Sequence, residues 1–168
     1  MNFIKKRDKS ASIQKQFLDK SSDLVFCRNL ELEKNFTQHR GTTVYEHSIG
    51  VAYMSYRLAC FLPFSFREDA LIKGALLHDY FLYDWHVKDP SHKWHGFCHP
   101  KIAKEKAESD FGLTKVEANI ICRHMFPLTP IPPRYKEGFL VSIMDKICAV
   151  YEMLNIQYLP SALIEQLA

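Results

Sequence analysis

Apolar residues recur along the chain at spacings of three and four, the helical period, while strand-like alternation is sparse. This pattern predicts an all-α fold with no internal repeat and no low-complexity segment. The first forty residues read as one or two short helices. Thr43 and Glu46 have capping-box spacing and open a helix that runs to about Leu62, where Pro63 stops it. His47, Val51, Leu58 and Leu62 share one broad face of that helix, so His47 points toward the core. Ser65 with Glu68 predicts a second capped start, for a helix carrying Leu71, Ala75 and His78 at i, i+4 and i+7.

From Tyr80 to Trp94 the periodicity breaks, giving a loop of about fifteen residues, a length that in a compact domain is usually functional. Its aromatic content, Tyr80, Phe81, Tyr83, Trp85 and Trp94, suits an ordered loop that walls a pocket. A helix from about His99 to Asp110 follows, with Pro100 at a tolerated first-turn position. Thr114 and Glu117 cap another that ends near Arg123 and His124. Phe126 to Arg134 holds four prolines and reads as a stiff irregular connection. The last long helix, Tyr135 to Gln157, turns Val141, Asp145 and Cys148 inward together. A carboxylate on an apolar face is costly unless it is paired or metal-bound. Pro160 to Ala168 reads as a short terminal helix or tail.

Composition narrows the class. A chain of 168 residues, 47% hydrophobic and 24% charged, fits one globular domain with a sizeable core. A net charge of +3 is too mild to predict a nucleic-acid partner, although it suits an anionic substrate. Five cysteines without a C-x-x-C spacing argue against a disulfide framework and a structural zinc knuckle. Cys98 and Cys122 read as buried thiols. No stretch has signal-peptide character and none approaches the roughly 18 apolar residues of a membrane span, so a cytoplasmic location is expected and no membrane partner. The oligomeric state is left open.

His47, His78, Asp79 and Asp145, from three helices, are the chemically informative set. Imidazole nitrogen and carboxylate oxygen suit a divalent transition metal such as iron, manganese, zinc, cobalt or nickel. Asp79 is placed to bridge to a second ion held by His99 and His124, and two ions about 4 Å apart would clamp phosphate oxygens around an activated water. His95, four residues before His99, reads as a ligand, a phosphate contact or a capping residue. Lys146 is a cation suited to charge developing on a phosphoryl group, or else a solvated helix residue. Arg134 and Arg40 are alternative phosphate clamps, the plainer reading of each being a surface arginine. Asp84 is a candidate proton donor to a leaving oxygen, or an exposed loop carboxylate. His86 and His92 read as surface groups and His39 as peripheral. Trp85, Trp94, Met125 and Phe126 stack on a base or fill the core.

The order His47, then His78-Asp79, then Asp145 resembles the HD-domain superfamily of metal-dependent phosphohydrolases. His99 and His124 look like the second-metal ligands of its binuclear members, and the resemblance spans roughly residues 39 to 155. It implies a single-domain helical bundle over 39–157 with ligands converging from several helices, a helical extension over 1–38 and a tail over 158–168. It also implies hydrolysis of a phosphate ester, in a nucleotide or another small phosphorylated metabolite, with Asp79 at the catalytic centre. The same ligands serve di-iron oxygenases in that superfamily, and a non-catalytic nucleotide-binding module is a further alternative. The Gly-Tyr-Pro signature of the cyclic dinucleotide phosphodiesterases is missing.

Overall fold

A computed structural model describes residues 2–87, 90 and 94–167, with side chains from residue 10 onward. Eight α-helices are present among them: α1 (Asn2–Val25), α2 (Arg28–Glu31), α3 (Val44–Ala59), α4 (Glu68–Leu76), α5 (His95–Phe111), α6 (Lys115–Arg123), α7 (Lys136–Met153) and α8 (Ser161–Leu167). The fold is the expected helical one. The amino-terminal region is one long helix followed by a single turn and a 3-10 turn, Leu32–Asn35, rather than one or two short helices.

At the centre lies α3, whose residues are buried on almost every face, as expected of a helix surrounded by others. It packs on α1, α4 and α7, while α6 sits among α4, α5 and α7. Phe17 of α1 meets the Tyr53 ring of α3 edge-on with centroids 5.5 Å apart, and Leu163 of α8 is fully buried. The extension and the tail therefore share one core with the rest.

Two capping boxes form as their spacing predicts. Thr43 Oγ1 accepts from the Glu46 N–H at 3.1 Å and Glu46 accepts from the Thr43 N–H at 2.8 Å. Thr114 and Glu117 repeat the exchange at the start of α6. Ser65 and Glu68 do not: Arg67 occupies the N-cap without a side-chain cap bond, and Glu68 is drawn to Lys20 of α1 at 3.3 Å. The helix begins at Glu68 instead, and the Arg67 N–H donates to the buried Glu137 carboxylate at 2.9 Å.

Four helices end or begin elsewhere than expected. Helix α3 stops at Ala59. Helix α4 stops at Leu76, so His78 and Asp79 lie in the tight turns beyond it, not on it. Helix α7 closes at Met153 because Asn155 takes φ 56° and the Ile156 N–H reaches back to the Tyr151 carbonyl at 2.8 Å, a left-handed stop that asparagine tolerates. In the opposite sense α5 begins early, at His95, which puts Pro100 inside the helix rather than in its first turn.

A two-stranded antiparallel hairpin, β1 (Thr37–His39) and β2 (Thr42–Thr43), departs from the all-helical expectation. Its turn is Arg40-Gly41, both at positive φ, 43° and 94°, the backbone that joins two strands in the fewest residues and that glycine favours. The hairpin packs against α3 and α7 and delivers Gln38 to the interior.

Candidate metal centre

Six side chains meet where α3, the turn after α4, α5, α6 and α7 come together. His47, His78 and His124 are fully buried, and Asp79, His99 and Asp145 nearly so. His47 Nε2 lies 3.2 Å from Asp145 Oδ1, and His78 Nε2 lies 3.7 Å from the same oxygen. Asp79 faces both ways: its Oδ2 is 3.6 Å from His78 Nε2, while its Oδ1 is 3.2 Å from His99 Nε2 and 3.4 Å from His124 Nε2. The donors fall into two groups, His47 with His78 and Asp145, and His78 with Asp79 and His124. His78 thus belongs to both groups, which the sequence-based division had assigned to the first ion alone.

Every one of the four imidazoles is anchored through Nδ1. His78 donates to the Ala75 carbonyl at 2.7 Å, His99 to His95 at 2.8 Å, His124 to Ile121 at 2.8 Å, and His47 to the Glu152 carboxylate at 2.9 Å. With Nδ1–H committed, each neutral ring presents an Nε2 lone pair inward. His99 and His124 oppose those lone pairs at 2.9 Å. Two acceptors at that distance repel unless a positive charge, a proton or a metal ion, sits with them. Within the same cluster His78 Nε2 and Asp79 Oδ1 are buried without a hydrogen-bond partner. Burial without compensation is expensive, and a divalent cation among nitrogen and carboxylate donors removes the cost. The donor set fits a metal ion of the borderline class, with no thiolate among its atoms.

Electrostatics point the same way. Burial alone would raise the carboxylates, yet His78, His99 and His124 hold Asp79 well below its ordinary range, and His47 and His78 do the same for Asp145. For His47 burial is outweighed by Asp145 and Glu152, and its pKa rises to about 10, so in the metal-free chain Nε2 carries a proton toward Asp145 that a metal ion would have to displace. Burial dominates at His124 and takes it down to about 3. Both carboxylates are therefore ionised at neutral pH, as ligands must be.

A family model described as HD domain matches residues 44–150. The chain belongs to the HD-domain family. That family binds divalent metals and is placed in the superfamily of metal-dependent phosphohydrolases. No curated protein and no solved structure matches the chain.

Around the HD centre, Lys146 stands at the rim, its side chain 41% exposed. Its ammonium donates to the His124 carbonyl at 2.9 Å and the Ser142 carbonyl at 3.0 Å and lies 3.4 Å from Asp145 Oδ2. His95 is the first residue of α5. Its ring stacks between those of His99 and Trp85, at 4.5 and 5.1 Å, and its Nδ1 meets the Tyr83 hydroxyl at 2.8 Å. It stands beside the ligand groups and in neither. Trp85 also stacks on His86 at 3.9 Å, so aromatic faces run outward from His99 toward solvent. Asp84 is half exposed and accepts from His86 Nδ1 at 3.0 Å. His39 is less peripheral than expected, its ring 5.7 Å from that of His47.

Neither arginine bonds to a ligand candidate among the described residues. Arg40 donates to the Met153 carbonyl at the end of α7, at 2.8 Å. Arg134 lines a shallow groove with Lys104, Lys115 and Arg123 on the outer side of α5 and α6. Cys98 is exposed and Cys122 half-buried rather than buried, and no disulfide forms among the described residues. No helix among them is long and apolar enough to cross a membrane. His92 lies outside the described residues.

Four residues of the site escape the sequence pattern. Gln38 Nε2 donates to Asp79 Oδ2. Glu33, wholly buried, has a pKa pushed well above the carboxylate range by burial and by Asp79, with the Ser48 hydroxyl and His47 pulling the other way. Glu152 anchors His47, and the Tyr158 hydroxyl donates to Glu152 Oε1 at 2.6 Å. Of these only Glu152 had a readable signal: it lies seven residues after Asp145, on the same face of α7.

Proposed function

We propose that this HD protein hydrolyses a phosphate ester, carried by a nucleotide or a similar small phosphorylated metabolite, with one or two divalent transition-metal ions. The observation that carries the reading is the convergence of four Nδ1-anchored imidazoles and two ionised carboxylates in a buried cluster. A divalent ion among such donors would supply Lewis acidity, enough to bring the pKa of water toward neutrality and to polarise a phosphoryl oxygen. His47, His78 and Asp145 would hold it at one end, and Asp79 and His124, with His99 beside them and His78 shared, at the other. Asp79, with its oxygens directed to different histidines, links the two ends.

Lys146 supplies a fixed positive charge at the rim, tethered to the backbone of one ligand and beside the carboxylate of another. Held there before the substrate arrives, it stabilises negative charge on a phosphoryl group without reorganising. The outer end of the aromatic stack, at Trp85 and His86, offers a ring face to a base or other planar group. The leaving oxygen takes its proton from water or from Asp84 in the same loop.

The test is a metal-stripped chain reloaded with manganese or cobalt under anaerobic conditions and offered a panel of phosphomonoesters and nucleotides. Phosphate release that disappears in Asp79→Ala is expected. Oxygen uptake with iron and no phosphate release, or tight nucleotide binding at full metal occupancy without turnover, would overturn the assignment.

A further inference from the structure

The four imidazole anchors are not equivalent. His78, His99 and His124 donate to carbonyls three or four residues back, so their orientation is set as soon as the local turn forms. His47 alone is anchored by a side chain from a distant element, Glu152, 105 residues on. That carboxylate is nearly buried, and its Oε1 is held in turn by the Tyr158 hydroxyl at 2.6 Å. Tyr158 belongs to the segment that turns back after α7 and leads into α8.

Gly50, one turn along α3 from His47, makes the contact possible. A Cβ there would come 2.2 Å from the Tyr158 hydroxyl and 3.0 Å from two ring carbons. Glycine inside a helix is destabilising relative to alanine, so the position gives up helix propensity to admit the phenol.

Resting on the reading of the cluster as a metal centre, we propose that Glu152 and Tyr158 are positioning residues that set metal affinity at the His47 end, while the His99 and His124 end is indifferent to them. A carboxylate accepting Nδ1–H fixes the imidazole tautomer and makes Nε2 a stronger donor than a carbonyl does. Loss of such a partner typically costs about 10–100-fold in metal affinity. Docking of the tail thereby becomes a condition for filling one end of the centre.

Gly50→Ala separates this role from ordinary packing, because it alters no polar group and favours the helix, yet displaces the hydroxyl. Chelator competition with cobalt, followed by the visible absorption of the bound ion, is measured for the unmodified chain, Gly50→Ala, Tyr158→Phe, Glu152→Gln and Glu152→Ala. We expect Gly50→Ala and Tyr158→Phe each to weaken one cobalt ion by about tenfold or more and to shift its absorption, with the other ion within about twofold. A variant combining Gly50→Ala with Tyr158→Phe should be no weaker than the worse of the two, because both act through one hydroxyl. Glu152→Gln, which keeps an acceptor for Nδ1, should recover part of what Glu152→Ala loses. Cobalt affinity and spectrum unchanged in Gly50→Ala and Tyr158→Phe, with the unmodified chain binding normally, would overturn this proposal alone. An unmodified chain that binds no cobalt would overturn the metal-centre reading with it.

Discussion

Replacing His124 by alanine tests the two-ended centre most directly. At a free metal concentration about a hundredfold above Kd, each bound ion stabilises the native state by about 2.7 kcal/mol, and two independent ions by roughly 5.4 kcal/mol. For a chain of 168 residues, about 2–4 °C of melting temperature per kcal/mol converts this to roughly 11–22 °C between stripped and loaded protein. His124→Ala removes a donor of the Asp79 end and leaves His47, His78 and Asp145 intact, so the increment should fall by half, to roughly 5–11 °C. The stripped variant should lose less than the roughly 2–5 kcal/mol usual for emptying a buried site. Truncation ends the lone-pair opposition with His99 at 2.9 Å, and the carbonyl of residue 124 still receives Lys146. Calorimetric melts with and without metal, alongside elemental analysis, measure both quantities, and His124→Gln repeats the test with less change in volume. A metal increment as large in both variants as in the parent, or one ion per chain in the loaded parent, would refute the reasoning.

Lys146→Met should lower turnover by about 10²–10³-fold, the usual effect of losing one preorganised charge-stabilising donor, with metal content unchanged; parallel loss of metal would mark the ammonium as structural. Gln38→Leu strips Asp79 Oδ2 of its donor and should weaken metal binding by about 10–100-fold, read by chelator competition; unaltered binding would remove Gln38 from the site. The metal-free chain should be most stable near pH 6.5. His47, raised from 6.5 to about 10, contributes stability that is complete below pH 6.5 and lost as pH climbs to about 10. His124, lowered to about 3, stays neutral in the native state while the unfolded chain takes up a proton, so stability drops as pH descends from 6.5 toward 3. Asp79 and Asp145, held low, add a further loss in acid. Thermal melts in chelator across that range check the profile, and a melting temperature still climbing past about pH 9 would contradict it.

What could be read from the sequence was local. The Thr43 and Thr114 caps need only neighbours four residues wide, and the six ligand candidates each sit among inward apolar positions. Ser65 and Glu68 satisfied the same rule and failed: the helix starts at Glu68, with the Arg67 N–H on the Glu137 carboxylate, far away in sequence. Strands of three and two residues are too short to show an alternation, so the hairpin was invisible and Gln38 with it. Glu33 and Tyr158 matter only because the 3-10 turn and the tail fold back against α3, which no spacing encodes. Glu152 was within reach, seven residues beyond Asp145 on a face already read as inward.

The opposed nitrogens of His99 and His124 also bear on how samples are handled. On the metal-centre reading, the stripped chain is expected to take up more than one kind of divalent ion. Its imidazole and carboxylate donors follow the general affinity order that rises to copper, with zinc close behind. Supply, more than preference, is then expected to decide which ion occupies it, so protein eluted from a nickel column or dialysed in zinc-contaminated buffer should carry the record of that bath. A competition series from the stripped state, with several metals offered together, measures the selectivity that an as-purified inventory does not.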